Sequence, residues 1–416
     1  MTALPLFRPF AALRPTRAQA AAVAAPPYDV LDSQEARTRA RGRPWSFLHI
    51  SKAEIDLPPG TDPHAPEVYA KAAENLRRMV AEGVIVRESQ PCYYVYRLVS
   101  GAHAQTGVVA AASVAAYDSQ RIRRHEFTRP DKEDDRVRQI EAVDAHTGPV
   151  LAAFRPLPEV ARVLERTTGA APEFSVTADD GIVHSLWIVS DRDDIARLTT
   201  AFDGVDALYI ADGHHRSAAA SRVAAARRAA NPAHRGDEPY NSFLIVAFPA
   251  AEMLIMDYNR VVRDLNGLSP EAFLDRIGGD FSVTPSDGPA KPSRYGEMGL
   301  YLRGRWYRLG VRDLPAADAD PVDRLDVSLL TDRLLAPVLG IEDLRKDKRI
   351  DFVGGARGLA ELERRVDSGE MAAAFALHPT SMNDLIAVTE AGKVMPPKST
   401  WFEPKLADGL VSLPLD

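Results

Sequence analysis

Cysteine and long hydrophobic segments are nearly absent from this sequence of 416 residues. Cys92 is the only cysteine, so the chain cannot form an internal disulfide, which is typical of proteins in a reducing compartment. No segment reaches the roughly 20 consecutive apolar residues that a transmembrane helix needs. The alanine-rich residues 18–25 are only weakly hydrophobic, and we expect them to belong to the mature fold and not to a targeting signal. The sequence thus predicts a soluble, cytoplasmic protein without a membrane partner.

A surplus of positive charge is also missing. The chain has 51 lysine and arginine residues against 58 aspartate and glutamate residues, which gives a formal net charge of -7. Proteins that bind nucleic acids usually carry a basic surplus, so we expect no nucleic-acid partner. Hydrophobic residues make up 45% and charged residues 26% of the chain, close to the averages of globular proteins. A substantial folded core is therefore expected.

The common short motifs for nucleotide and zinc sites are absent as well. The sequence has no glycine-rich Walker loop, no CxxC pair and no HExxH segment. His214 and His215 are adjacent, and neighbouring residues on a helix point about 100° apart, which disfavours one zinc ion held by both. We expect the site to be formed by separate segments that converge in space.

Hydrophobic periodicity and turn residues predict a series of helices and strands. An amphipathic helix is expected at residues 67–83, and strands are expected at 93–99 and 207–211. An alanine-rich helix should cover residues 217–230, and a late strand should cover 385–388. The alternation of strands and helices in the central third indicates a mixed α/β (α+β) fold.

No repeat or low-complexity linker marks a domain boundary, so the boundaries are estimated from the predicted elements. We expect an N-terminal α+β lobe at residues 1–120 and a central α/β core at residues 121–265. A C-terminal α+β lobe at residues 266–416 would return its Pro-Lys-Ser-Thr segment to a site in the core.

The most informative segment is an apolar strand that ends at an Asp-Gly turn and passes directly into a helix. The turn, called here the 212–216 turn, reads Asp212-Gly213-His214-His215-Arg216. A helix N-terminus presents unpaired backbone N–H groups and the positive end of the helix dipole, which suit a phosphate. Gly213 lets the backbone approach a ligand closely, and Arg216 can hold a phosphate through two hydrogen bonds.

Asp212 allows several interpretations. It can orient a substrate hydroxyl, accept its proton or hold Mg²⁺. In the structural alternative, Asp212 only caps the helix and the two histidines that follow are solvated. The combination of polar, chemically competent residues around a glycine favours a functional turn.

Two further polar segments are candidates for the same site. Arg124-His125-Glu126, with Lys132 and Arg136 shortly after, combines groups suited to acid/base chemistry and anion binding, although such mixed charge is often a solvated surface. The second segment is Lys398-Ser399-Thr400, which offers a cation and two hydroxyls after two prolines. Its alternative is a proline-rich strap over the core.

Several motifs in a fixed order resemble a bacterial and archaeal family catalogued as domain of unknown function 1015. The resemblance covers nearly the whole chain, but the family implies no settled activity. The motifs are Pro26-Pro27-Tyr28-Asp29-Val30, Arg124-His125-Glu126-Phe127-Thr128, Lys132-Glu133-Asp134-Asp135-Arg136, Ala211-Asp212-Gly213-His214-His215-Arg216, Asp257-Tyr258-Asn259-Arg260 and Met395-Pro396-Pro397-Lys398-Ser399-Thr400.

The 212–216 turn also resembles the phosphate-binding turn of the ParB/sulfiredoxin-like superfamily, including the ParB-like free-serine kinases. This resemblance implies a nucleotide-binding core, with an acidic catalytic or metal-binding role for Asp212. It implies phosphate contacts for His214, His215 and Arg216. Sulfiredoxin chemistry is not expected, because the position of its catalytic cysteine is His214 here, and no ParB helix-turn-helix is evident.

Together these patterns predict a phosphotransferase that uses a nucleotide such as ATP or ADP and Mg²⁺. Its substrate would be a small hydroxylated metabolite such as free serine. The alternatives are a phosphatase acting on a small metabolite such as phosphoserine, and a nucleotide-binding regulatory protein without turnover. The predicted site consists of the catalytic residues Asp212, His214, His215 and Glu126, the phosphate- or nucleotide-binding residues Gly213, Arg216, Arg124, His125, Lys132, Arg136, Lys398, Ser399 and Thr400, and Mg²⁺ at Asp212.

Overall fold

The computed structural model describes residues 4–416, and these fall into two units. The first unit comprises Met1–Met253 together with Pro404–Asp416, and the second unit is Leu254–Glu403. The first unit is thus built from two separate stretches of the chain. Each unit has its own sheet and its own helices.

The first unit contains a large sheet of nine strands and two small sheets of two strands. The strand order in the large sheet is β6-β11-β8-β12-β5-β4-β10-β9, and β1 pairs with β5. The pairs β6–β11 and β8–β12 are parallel, and the other neighbours are antiparallel. The strands before residue 254 are β1 (Phe7–Arg8), β2 (Leu13–Pro15), β3 (Ile85–Arg87), β4 (Tyr93–Ser100), β5 (His103–Ser113), β6 (Ile122–Arg123), β7 (Ala145–His146), β8 (Val150–Phe154), β9 (Phe174–Thr177), β10 (Val183–Val189), β11 (Leu208–Asp212) and β12 (Ser242–Pro249).

Helices pack around this sheet and confirm the mixed α/β class. The predicted amphipathic helix is α4, which begins with a proline in its first turn and buries Val68, Ala72 and Leu76 on one face. The predicted alanine-rich helix is α9, which begins at His214, before the predicted start at residue 217. The helices are α1 (Ala20–Val23), α2 (Ser33–Ala40), α3 (Leu48–Ser51), α4 (Pro66–Ala81), α5 (Val114–Asp118), α6 (Pro130–Val143), α7 (Pro158–Thr168), α8 (Arg192–Asp203) and α9 (His214–Ala230).

This division differs from the three segments expected from the sequence. Strand β5 precedes residue 120, yet it pairs with β12, which lies well after it. The expected boundary at residue 120 therefore falls within one sheet. The sequence offered no linker to locate the boundary, and strand pairing between distant segments leaves no local signal.

The core of the first unit lies between the large sheet and the helices α7 and α8. The ring of Phe202 stands 4.4 Å from that of Phe7 and 5.2 Å from that of Phe154, measured between centroids. Helix α9 also packs on the sheet, and its buried residues Ala218 and Ala220 are small enough for close approach. The sheet therefore fixes the position at which α9 begins.

The second unit is built on an antiparallel sheet of six strands in the order β15-β17-β16-β19-β14-β18, beside the pair β13–β20. Its strands are β13 (Leu254–Met256), β14 (Tyr258–Val262), β15 (Phe281–Ser286), β16 (Glu297–Leu302), β17 (Arg305–Val311), β18 (Ile350–Gly354), β19 (Ala373–Leu377) and β20 (Trp401–Glu403). Its helices are α10 (Pro270–Ile277), α11 (Asp326–Leu330), α12 (Gly358–Asp367) and α13 (Met382–Glu390).

The strand predicted at residues 385–388 was wrong, because these residues belong to helix α13. Ser381 and Asp384 form a capping box at the start of this helix. This pattern indicates a helix N-terminus, but the apolar residues after it also fit a strand. A short apolar run fits a buried strand and a buried helix equally well.

The chain returns to the first unit after Glu403. There β21 (Leu413–Pro414) pairs with β7 in one of the small sheets. Within residues 4–416, none of the helices combines the length and the apolar character that crossing a bilayer requires.

A buried carboxyl in the second unit yields a prediction about stability. Burial raises the pKa of Asp326 to about 7, and the nearby Asp384 adds to the shift, while Oδ1 accepts a hydrogen bond from the Gly296 N–H at 2.9 Å. Because the pKa is higher in the folded state than in the unfolded state, the contribution of Asp326 to stability falls as the pH rises from about 4 to about 7.

We expect Asp326→Asn to raise the free energy of unfolding at pH 8 by on the order of 2 kcal/mol, because the amide keeps the acceptor and never ionises. The gain should be smaller at pH 4.5. Urea denaturation at both pH values checks this, with the exposed Asp323→Asn as control. The prediction is contradicted if the two substitutions change the free energy of unfolding by the same amount at both pH values.

Candidate functional site

The 212–216 turn joins the end of strand β11 to the start of helix α9. Gly213 has φ 94° and ψ 25°, in the left-handed region that favours glycine. A Cβ atom at this position would lie 2.8 Å from Nε of Arg216 and 3.2 Å from Cα of Val150. The close approach predicted for a ligand is thus made, in this structure, by the side chain of Arg216.

Asp212 is an ionised carboxylate between two cations. Its Oδ1 accepts a hydrogen bond from the Gly213 N–H at 2.8 Å. Its Oδ2 lies 3.6 Å from a terminal nitrogen of Arg216 and 3.5 Å from Nζ of Lys405. Burial would raise the pKa of Asp212, but the charges of Lys405 and Arg216 outweigh it and hold this pKa well below its usual value. The side chain remains 34% exposed, so a ligand can reach it.

Arg216 is 9% exposed and is surrounded by acidic groups. Burial opposes its charge, but Asp212, Asp29 and Asp408 outweigh burial and raise the pKa of Arg216. Its Nε is buried without a hydrogen-bond partner, as is Oδ1 of Asp408. A Cβ atom at Gly148 would lie 3.2 Å from Cδ of Arg216, a tight contact for which the arginine side chain would have to shift by a few tenths of an ångström.

Asp408 is 2% exposed, and its backbone forms two hydrogen bonds with that of Ala25. Burial raises the pKa of Asp408 to about 7, and the nearby Asp29 adds to the shift, although Arg216 and Arg136 oppose it. This carboxyl therefore changes its charge near neutral pH while facing the guanidinium groups of the site.

A second arginine links the N-terminal segment to the site. The guanidinium of Arg136 stacks 3.9 Å from the ring centroid of Tyr28, and its Nε donates to Oδ2 of Asp135 at 2.8 Å. Asp135 also accepts from the hydroxyl of Tyr69 at 2.8 Å. The motifs around Tyr28 and Arg136, far apart in the sequence, thus meet beside Arg216.

His125 and His214 form a buried pair at the start of α9. Their rings lie edge to face with centroids 4.4 Å apart, and the backbone N–H of His125 donates to Nε2 of His214 at 3.4 Å. Burial lowers the pKa of His125 to about 4. Burial and the neighbouring His125 also lower the pKa of His214 well below its usual value, so both imidazoles are neutral.

The other two polar residues of this region face different ways. Glu126 is half exposed, and its Oε2 lies 3.9 Å from Nδ1 of His214. His215 accepts the backbone N–H of Arg129 on Nε2 at 3.1 Å, and burial lowers its pKa. His215 therefore anchors the loop before α6, which is a role that the sequence did not predict.

Not every predicted residue joins this cluster. Arg124 and Lys132 are exposed, and within the described part of the chain no hydrogen bond or ion pair links either of them to the 212–216 turn. Lys398, Ser399 and Thr400 belong to the second unit. Their predicted contribution to a phosphate pocket stays a prediction.

Within the second unit, the Lys398 turn is fixed by a buried arginine. Arg260 has no exposed surface, and it donates to the Lys398 carbonyl at 2.9 Å. Its guanidinium lies 5.2 Å from the ring centroid of Phe352, and burial lowers its pKa to about 10. Lys398 itself is exposed and has a positive φ of 59°. Ser399 donates to the Pro396 carbonyl at 2.7 Å.

Lys405 and Asp408 are the functional candidates that sequence reasoning missed. Lys405 closes the segment that begins at Met395, but the sequence gave no reason to choose it over Lys398. Asp408 lies in an ordinary apolar stretch, and only the tertiary structure places it beside Arg216. Surface cavities of about 680 and 400 Å³ occur elsewhere in the first unit, and neither Asp212 nor Arg216 lines them.

A family model described as "Protein of unknown function (DUF1015)" matches residues 7–328. The chain belongs to this family. A search of curated proteins gives no match. The further resemblance to the ParB/sulfiredoxin-like superfamily stays a prediction.

A comparison with solved structures gives three matches of low sequence identity. A conserved hypothetical protein from Pyrococcus furiosus is 13% identical, with 73% of this chain and 93% of that chain covered and a TM-score of 0.33. A free serine kinase in complex with AMP is 12% identical, with 71% and 86% covered and a TM-score of 0.33. SbnI with a C-terminal truncation, from Staphylococcus aureus, is 11% identical, with 71% and 82% covered and a TM-score of 0.36.

The conformation of Gly213 leads to a second prediction. We expect Gly213→Ala to lower the free energy of unfolding by on the order of 2 kcal/mol, because the new Cβ strains the backbone and displaces Arg216. Gly204→Ala is the matched control, since its φ is -86° and its nearest contact would be an ordinary 3.5 Å. Thermal denaturation of both variants checks this, and equal melting temperatures would contradict the role of Gly213.

Proposed function

We propose that the 212–216 turn binds the phosphate of a nucleotide such as ATP or ADP, and that the protein is a phosphotransferase. Its substrate would be a small hydroxylated metabolite such as free serine, the example suggested by the resemblance of the turn. One observation carries the proposal: two cations, Arg216 and Lys405, lie within 3.6 Å of one oxygen of Asp212 at the N-terminus of α9.

Phosphate binding draws first on the helix itself. Helix α9 has 17 residues. The backbone N–H groups of its first turn have no carbonyl group of a preceding helical turn to bond to. Together with the helix dipole, they offer an anion site directly after the glycine. Arg216 adds a planar guanidinium that can hold a phosphate through two hydrogen bonds, and its buried Nε has no hydrogen-bond partner within the protein.

The acidic groups keep the cations in place. Asp212 and Asp408 stabilise the buried charge of Arg216, which alone would be costly to bury. Lys405 is anchored by Asp212 and remains 24% exposed. An incoming phosphate therefore meets cations that are already positioned, which reduces the entropy lost on binding.

Asp212 is suited to align a substrate hydroxyl. Its low pKa makes it a weak base, so it would accept a hydrogen bond from the attacking hydroxyl without removing the proton early. Phosphoryl transfer passes through a loose transition state and depends mainly on positioning and on neutralisation of charge. Glu126, which is half exposed, is the second carboxylate that could serve the hydroxyl.

The Mg²⁺ ion predicted at Asp212 stays a prediction. Mg²⁺ is usually bound by one or two carboxylates together with phosphate oxygens and water. Asp212 already pairs with two cations, so a magnesium ion there would be held largely by the phosphates of the nucleotide.

The geometry does not favour the phosphatase alternative in which a histidine attacks the phosphate. Nε2 of His214 accepts the backbone N–H of His125, and Nε2 of His215 accepts that of Arg129. These lone pairs are therefore engaged in holding loops. The third alternative is a regulatory protein without turnover. It differs from a phosphotransferase in predicting that the protein binds nucleotide but forms no product.

Nucleotide binding should depend on Lys405. We expect ADP, ATP or pyrophosphate to raise the melting temperature of the wild type. Lys405→Met should raise the dissociation constant of these ligands about tenfold, because one charged contact to the phosphate is lost. Lys71→Met is the matched control, because Lys71 pairs with Glu74 on a helix surface. Thermal-shift and calorimetric titrations, with and without Mg²⁺, measure both. A wild type that binds none of these ligands would refute the proposal.

Turnover should depend on the charge of Asp212. We expect Asp212→Asn to reduce phosphoserine formation from serine and nucleotide by about 100-fold or more, since the hydroxyl and both cations lose their common partner. Phosphorus NMR of the reaction mixture measures the product. Asp131→Asn, at an exposed carboxylate paired with Arg129, should leave the rate unchanged. Wild-type protein that binds nucleotide but forms no product with any hydroxylated substrate would support the regulatory alternative.

A further inference from the structure

Phe127 is a large apolar side chain that the first unit leaves in solvent. It is 68% exposed, which is more than any other large hydrophobic residue within residues 4–416. A single exposed apolar residue is common and marks no site by itself. Phe127 differs in its position, because it is the middle residue of the segment between β6 and α6, called here the 125–129 loop. This loop contacts the 212–216 turn.

Both histidines of the turn hold the loop, one on each side of Phe127. On the N-terminal side, the backbone N–H of His125 donates to Nε2 of His214 at 3.4 Å. The ring of His125 also donates from Nδ1 to a carbonyl of β11 at 2.8 Å. On the C-terminal side, the backbone N–H of Arg129 donates to Nε2 of His215 at 3.1 Å. The first and last residues of the loop are thus fixed to the start of α9.

These hydrogen bonds keep Phe127 close to the proposed phosphate site. Two residues of an extended chain span at most about 7 Å, so the Cα atom of Phe127 lies within about 7 Å of those of His125 and Arg129. The hydroxyl of Thr128 donates to Glu133 in the first turn of α6, which fixes the loop further. Phe127 is therefore held beside the N-terminus of α9, although its ring is in solvent.

A nucleotide bound by its phosphates at this N-terminus needs a place for its base. The interior of the site is filled, since Arg216 and Asp408 are both buried, so the base must extend toward solvent. Bases stack on exposed aromatic side chains in many proteins that bind single-stranded nucleic acids. The ring of Phe127 offers such a face, and it carries no polar atom that could select one base by a hydrogen bond.

We propose that Phe127 stacks on the base of the nucleotide whose phosphates bind the 212–216 turn. Phe127 is then a specificity-determining residue that favours nucleotides over bare phosphates. It accepts adenine and other bases alike, because stacking requires only an aromatic face. This inference rests on the proposed phosphate site but not on phosphoryl transfer. It applies equally to a phosphotransferase and to a regulatory protein that binds nucleotide without turnover.

The adjacent histidines act together in this arrangement. An imidazole nitrogen accepts a hydrogen bond only when it is unprotonated. Burial lowers the pKa of both His214 and His215, which favours the neutral rings that the two backbone N–H groups require. The pair therefore holds the loop that carries Phe127, while the backbone N–H groups of the same helical turn are directed at the phosphate.

Calorimetric titration of the full-length protein with ADP and with pyrophosphate tests the stacking. We expect Phe127→Ala to raise the dissociation constant of ADP about tenfold and to leave that of pyrophosphate unchanged, because only ADP has a base. Lys405→Met should instead weaken the binding of both ligands, since it removes a contact to phosphate. Val80→Ala, at an exposed apolar residue of α4, is the matched control and should change neither constant.

Phe127→Trp provides a spectroscopic test of the same contact. An indole ring also stacks on bases, so this variant should keep the wild-type affinity for ADP. ADP should quench its fluorescence more strongly than that of the wild type, which has four tryptophans. Pyrophosphate should cause no such additional quenching.

The possible results separate the stacking from the phosphate site. A wild type that binds neither ligand would refute the phosphate site and the stacking with it. If the wild type binds ADP and Phe127→Ala binds it as tightly, the stacking alone is overturned. The stacking is also overturned if Phe127→Ala loses affinity for ADP and pyrophosphate equally, because Phe127 would then only support the loop.

Discussion

The buried charge of Arg216 is the constraint on which the rest of the site depends. A guanidinium at this depth is stable only when carboxylates compensate it, and Asp212, Asp29 and Asp408 do so from three separate segments of the chain. Meeting this requirement brings β11, α9 and the segment after Glu403 together. At Gly213 the arginine side chain occupies the space that a Cβ atom would need, and at Gly148 a Cβ atom would make a tight contact with it. The same ion pairs that stabilise the fold thus position the groups that could bind a phosphate.

Much of this site could be predicted from local sequence. An apolar strand followed by Asp-Gly and an alanine-rich helix predicted the strand, the turn and the helix, because each signal lies within a few residues. The same reasoning failed at α13, where a run of apolar residues near Leu385 fits two structures and only Ser381, at its start, distinguishes them. Local patterns specify elements, and strand pairing over long distances specifies the domains.

The roles of individual polar residues were harder to predict. His215 looked like a phosphate ligand because of its neighbours, yet its ring is used to hold the loop at Arg129. Asp408 carried no signal, since a single carboxylate in an apolar stretch is usually solvated. Such roles depend on burial and on the charges of partners that are far away in the sequence. Neither can be read from the local sequence. The pairing of His125 with His214 is the same kind of fact, because it exists only once β6 lies beside β11.

The two-part construction of the first unit has a consequence for biosynthesis. Lys405 and Asp408 are synthesised after the whole of the second unit, Leu254–Glu403, whereas Asp212 and Arg216 are made before it. During translation, Arg216 therefore lacks one of its acidic partners, Asp408, until the whole second unit has been synthesised. Strand β7 likewise cannot pair with β21 before the last residues of this sequence are made.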